Sequence, residues 1–160
     1  MISMMQTAGM DQYNLVLAVG PKLLPQLRLE YGVGTAKPTL PNNVILYDWV
    51  SQIDIVRTAD VVFMHGGLAT IKESIWEQVP IVIVPLGKDQ MDNALRIKRT
   101  GVGVAAEVAD LSPADLRKLF TQAVGSSWIR QNLASMQAIF QAAETAKPSI
   151  NIIKSVVPAS

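Results

Sequence analysis

Five short apolar runs constrain the fold of this chain more than any other feature: Leu15 to Val19, Val44 to Tyr47, Val61 to Met64, Ile81 to Val84 and Val102 to Ala105. They are mostly unbroken and β-branched, the pattern of strands covered on both faces. Segments with helical spacing separate the later ones, at Ile53 to Ala59, Leu68 to Gln78 and Asp92 to Arg99. Strands alternating with helices in this way build right-handed βαβ units. The expected architecture is therefore a doubly wound, Rossmann-like parallel sheet with helices on both faces. Gly32 to Asn43, which contains Pro38 and Pro41, reads as a loop.

After the last run the chain turns helical. Ser112-Pro113-Ala114-Asp115 is a helix start, with serine as N-cap, proline in the first position and aspartate in the first turn. Leu116, Leu119, Phe120 and Ala123 follow, and Gly125 ends the helix. A second helix carries Trp128, Ile129, Leu133, Met136, Phe140 and Ala143 and stops at Lys147-Pro148, leaving a short, strongly apolar tail from Ile150 to Val157.

At 160 residues the chain is one domain's worth. Lys and Arg (14) nearly balance Asp and Glu (13), so the charge argues for no nucleic-acid or acidic partner, and a bound diphosphate has to be held by local geometry. Without cysteine, and with a single histidine, neither a disulfide framework nor a metal site is expected. No apolar stretch approaches the roughly 20 residues of a membrane-spanning helix. The start, Met1-Ile2-Ser3-Met4-Met5, lacks a secretion pattern, so the expected location is cytoplasmic.

Chemistry concentrates between Asp60 and Ala94. His65-Gly66-Gly67, Thr70, Glu73 and Asp89-Gln90 fall at the carboxyl ends of two expected parallel strands, where open α/β sheets hold ligands. A helix N-terminus behind a glycine pair suits a phosphate, because N–H groups point into the turn and glycine lets an anion approach the main chain. Each residue also has a plain structural reading. Thr70-x-x-Glu73 is a capping box if Thr70 is the N-cap; if the helix starts near Leu68, Thr70 lies in its first turn and shares a face with Glu73. Asp89 can serve as an N-cap with Asp92 in the first turn, and Trp49 can be packed core. Lys72, Lys88, Arg96 and Arg99 read as a solvated face.

Taken in order, Trp49-Val50-Ser51-Gln52, His65 to Glu73, Asp89 to Ala94 and Gly101-Val102-Gly103-Val104 resemble the motifs W-x-P-Q, H-G-G-x-G-T-x-x-E, D-Q-x-x-N-A and G-x-G-V. These belong to the C-terminal, donor-binding half of the GT-B glycosyltransferases of the UDP-glucuronosyl and UDP-glucosyl transferase kind. The resemblance runs from about Leu15 to Val157 and implies one donor-binding domain over residues 1–160. Residues 1–12 would be a remnant helix, 14–106 the sheet region and 112–157 the C-terminal helices. It departs from the family at Ser51, where proline is usual, and at Ala69, where relatives carry asparagine or glycine. The family's first strand and glycine-serine loop are also absent.

By that resemblance the donor is a UDP- or dTDP-sugar, with no cofactor and no metal. Trp49 would stack on the base, the main chain at Val50 would read it, and Gln52 and Glu73 would hold the ribose. The turn His65, Gly66, Gly67 and Thr70 would take the diphosphate, and Asp89, Gln90 and Asn93 the sugar. His65 would assist diphosphate departure in an inverting transfer of a hexosyl group. The general base is expected from an acceptor-binding N-terminal half, in the same or a separate chain, so the isolated chain is expected to be inactive. The alternatives are a nucleotide-sugar binding module or one subunit of a two-chain transferase and, further off, a nucleotide-sugar epimerase. The tail is expected to lie loosely on the domain or against a second copy.

Overall fold

A computed structural model describes residues 9–10, 12–106 and 111–156. Among them are five strands, β1 (Leu15–Ala18), β2 (Val44–Tyr47), β3 (Val62–Met64), β4 (Ile81–Ile83) and β5 (Gly103–Ala105), each inside one of the five apolar runs. The helices are α1 (Gly20–Glu30), α2 (Gln52–Thr58), α3 (Leu68–Trp76), α4 (Asp89–Thr100), α5 (Pro113–Gly125), α6 (Ser127–Ala146) and α7 (Pro148–Val156). Every strand pair is parallel. None of the described helices is long and apolar enough to cross a membrane.

The centre of the core is β4, whose Ile81, Val82 and Ile83 are all 0% exposed. It lies between β3 and β5 in the register Val62↔Ile81 and Ile81↔Gly103. Gly103 makes the second pairing possible, since a Cβ there would fall 2.3 Å from the Ile81 carbonyl oxygen. Ile71 and Ile75 of α3, Ala94 and Ile97 of α4, Ala123 of α5 and Ile129 and Leu133 of α6 close over this sheet. α4 ends at Gly101 (φ 69°), and the Trp128 ring occupies the space where a side chain at 101 would stand. α5 starts as read from the sequence, with the Ser112 and Asp115 side chains each bonded to the other's backbone N–H.

The parallel α/β architecture is the one expected from the sequence, with two refinements. Among the described residues the strands make two sheets, β1-β2 and β3-β4-β5, with no hydrogen-bonded strand joining them. In the doubly wound order 3-2-1-4-5-6 a strand sits between those two groups. Both sheets meet one apolar cluster of Met10, Leu116 and Phe120, against which Leu15 of β1 and Val61 and Phe63 at β3 pack. The other refinement is coverage on both faces, which holds for β4 but, among the described residues, not for β1-β2. Leu24 of α1 packs on Val44 and Leu46, whereas Val16, Ile45 and Tyr47 on the opposite face stay exposed.

Two helices add to the sequence reading. α1 carries Pro21 in its first turn and Pro25 inside it. An interior proline costs a helical hydrogen bond, yet α1 forms because Pro25 faces solvent while Leu24 anchors the buried side. The apolar tail is itself helical as α7. Most of the helix expected over residues 1–12 lies outside the described residues.

Candidate functional site

Three connections, β2 to α2, β3 to α3 and β4 to α4, carry the residues singled out in the sequence. α3 begins at Leu68 with Gly67 as N-cap and no side-chain cap, so Thr70 is not an N-cap. It stands in the first turn with Glu73 one turn on. Gln52, at the start of α2, reaches both: its Nε2 donates to Thr70 Oγ1 at 2.8 Å and to Glu73 Oε2. One contact thus ties the β1-β2 half to the β3-β4-β5 half at the carboxyl ends of the strands. Further along the same two helices, Arg57 Nη2 lies 3.1 Å from Glu77 Oε1. The hydrogen bond to Glu77, and then its charge, raise the Arg57 guanidinium above its ordinary pKa.

The two glycines after His65 have separate causes. Gly66 adopts φ +104°, and a Cβ there would stand 3.2 Å from Ile83 Cγ2. Gly67 has ordinary angles, but its Cβ would stand 3.2 Å from His65 Nε2, so the imidazole lies over the space left by the missing side chain. The ring itself is exposed. A cavity of about 240 Å³ opens beside it, lined by Phe63, Met64, His65, Val84 and Leu86. A larger cavity of about 700 Å³ is lined by Glu73 itself together with Ile53, Trp76, Phe140 and Ile150, and does not include the glycine turn.

Trp49 is 74% exposed, which excludes the packed-core reading and leaves its ring free as a platform. Val50 beside it is half-buried. Asp89 is the first residue of α4 and not its N-cap; Lys88 holds that place with a positive φ (57°) and ψ −140°, right after Gly87 at φ 137°. Asp89 is exposed and takes no part in a side-chain cap. Gln90 Oε1 accepts the Leu86 N–H at 2.8 Å, which closes the loop after β4 and leaves the carboxamide N–H₂ without a partner among the described residues. Asn93, which the resemblance places among the donor contacts, is buried, and its Nδ2 donates to the Gly66 carbonyl oxygen at 2.9 Å. Lys72, Lys88, Arg96 and Arg99 are exposed, as read from the sequence.

The Gln52 bridge and the Asn93 bond join residues 18 to 27 positions apart, so no local spacing signalled them. Arg57 was likewise invisible as a partner of Glu77, although an acid and a base on adjacent crossover helices are a pair worth testing.

The molecule is a parallel α/β fold with a glycine turn after β3 and an acidic residue on the helix behind it. The sequence pattern of the UDP-glucoronosyl and UDP-glucosyl transferase family matches residues 3–148, and the chain belongs to that family. Human (Homo sapiens) UDP-glucuronosyltransferases 1A9 and 1A1 are each 31% identical over 118 residues, 72% of this chain and 22% of theirs. The chain thus spans about a fifth of the length of these relatives. Among solved structures, the glycosyltransferase of kitacinnamycin matches with a TM-score of 0.79 at 24% identity, over 98% of this chain and 38% of that one. Glycosyltransferase VinC, solved in complex with dTDP, matches with a TM-score of 0.68 at 22% identity, over 89% and 34%. The fold is that of these GT-B glycosyltransferases.

Proposed function

We propose that the chain is the donor-binding half of a glycosyltransferase that takes a UDP- or dTDP-sugar and transfers its hexosyl group, with inversion and without a metal, to an acceptor hydroxyl. The observation that carries the reading is the junction at the carboxyl ends of β2 and β3. There an exposed Trp49, the Gln52–Thr70–Glu73 contact and the His65-Gly66-Gly67 turn lie on adjoining connections. Family membership and the dTDP held by a neighbour of like fold support it.

The base stacks on Trp49, a contact tolerant of base identity, so the backbone at Val50 supplies the selectivity. Glu73 accepts the ribose hydroxyls, whose arrival displaces the Gln52 amide that Glu73 now holds. The diphosphate sits at the N-terminus of α3, where the first N–H groups have no helical partner and the dipole favours an anion. His65 donates to the departing phosphate and stabilises the charge that grows on it as the sugar–phosphate bond breaks. Asp89 and the N–H₂ of Gln90 orient the sugar, holding the anomeric carbon for attack from the opposite face. The base that takes the acceptor's proton lies in an acceptor-binding half outside these residues.

Calorimetric titration of the chain with UDP and with dTDP tests this. Binding is expected in the wild type and a marked loss in both His65→Ala and Glu73→Ala. Affinity unchanged in both variants would remove the site from this turn.

A further inference from the structure

We infer that Asn93 is a positioning residue, which acts on the phosphate of the ligand through Gly66 without touching it. The inference rests on the nucleotide reading above and assigns Asn93 a different part in it from a sugar contact.

Asn93 lies on the inner side of α4, only 7% exposed, between the sheet and the glycine turn. Its Nδ2 donates to the carbonyl oxygen of Gly66, 27 residues earlier, at 2.9 Å. Gly66 belongs to neither β3 nor α3 and has φ +104°, so no ladder or helix sets the direction of its carbonyl. Asn93 supplies that constraint.

The consequence follows from peptide geometry. The Gly66 carbonyl and the Gly67 N–H belong to one planar unit, and no described peptide bond is cis. In a trans unit the two groups point in opposite directions. Holding the carbonyl inward on α4 therefore aims the Gly67 N–H outward, away from α4. Gly67 is the N-cap of α3, so this N–H stands at the head of the unpaired donors of that helix. The turn is pressed against its anchor: the Gln90 carbonyl oxygen lies 3.4 Å from where a Gly66 Cβ would be. The same helix that presents Asp89 and Gln90 in its first turn thus also fixes, through Asn93 one turn on, the direction of a phosphate donor.

The residue type matters as much as the place. A buried group facing a carbonyl oxygen has to donate, and at this depth it has to be neutral. Asparagine does both. Ionised aspartate, of nearly the same shape, sets a carboxylate against the carbonyl oxygen and removes the donor; alanine removes it without adding a charge.

The test compares the full chain with Asn93→Ala, Asn93→Asp and Asn93→Ser, titrated with UDP and with uridine, while the Gly67 amide resonance is followed by ¹⁵N NMR. The serine variant keeps a small polar group in case the aspartate variant does not fold. Alanine and aspartate variants are expected to bind UDP about tenfold more weakly, the worth of one charge-assisted hydrogen bond. Uridine, which has no phosphate, should bind them as it binds the wild type. The Gly67 amide should shift less on UDP addition than it does in the wild type. A folded variant that loses UDP and uridine affinity by the same factor, or loses neither, overturns the inference while the nucleotide reading stands. A wild-type chain that binds neither ligand overturns that reading, and this inference with it.

Discussion

The two sheets are built from the same kind of apolar run, yet they end in different states. β4 is sealed from solvent along its whole length between β3, β5 and four helices. Among the described residues β1 and β2 have a helix on one face only, and Val16, Ile45 and Tyr47 look outward on the other. A β-branched run thus records a tendency to pair, whereas burial depends on what the rest of the chain supplies. The candidate site sits on this boundary, with Trp49 and Gln52 from the open half and His65, Thr70 and Glu73 from the sealed one.

The strongest way to break the comparison is a matched pair of truncations. Ile81→Ala in β4 should cost about 2 to 5 kcal/mol, the range for a buried isoleucine that leaves a cavity. Ile45→Ala in β2 should cost less than about 1 kcal/mol because its side chain is already half in water. Chemical denaturation of both decides it; equal losses would mean that the open face is covered in solution.

A smaller effect concerns the boundary. Trp49→Ala should weaken UDP binding by about 1 to 3 kcal/mol while the thermal midpoint stays close to the wild type. A collapse of the midpoint with normal binding in the residual folded protein would return Trp49 to a packing role and erase the division of labour between the halves.

The weakest effect is expected away from both sheets, at the start of α5. The Ser112 side chain, and then its backbone N–H, hold the Asp115 carboxyl below its ordinary pKa. A carboxyl lowered on folding stabilises at pH values above its unfolded pKa of about 3.9, and that contribution disappears as pH falls through the lower folded value. Asp115→Ala should therefore be less stable than the wild type at pH 7, with the gap in thermal midpoint closing below about pH 4. A gap independent of pH would show that the cap contributes through shape alone.

What was legible in the sequence follows the same physics. All five strands stood out because continuous apolar runs need no distant partner to be recognised, and Ser112-Pro113 marked α5 with its cap. α1 escaped because Pro25 breaks the local pattern while the force that holds the helix, Leu24 on Val44 and Leu46, comes from a strand 20 residues away. Thr70 carried two readings that only the starting residue of α3 separates. The pieces of the site were readable as a family pattern. Their connections through Gln52 and Asn93 were not, because such contacts are properties of the folded chain.

The break between the sheets has a consequence for how this polypeptide behaves among its own copies. Leu15 and Val19 donate toward β2 and Val62 donates toward β4, so the intervening amides of Val16, Ala18 and Phe63 point the other way. Among the described residues no strand receives them. Such an edge is a template, and templates recruit extended chain without regard to side-chain identity. Assembly through these amides would therefore be a main-chain event, indifferent to trimming of the apolar tail.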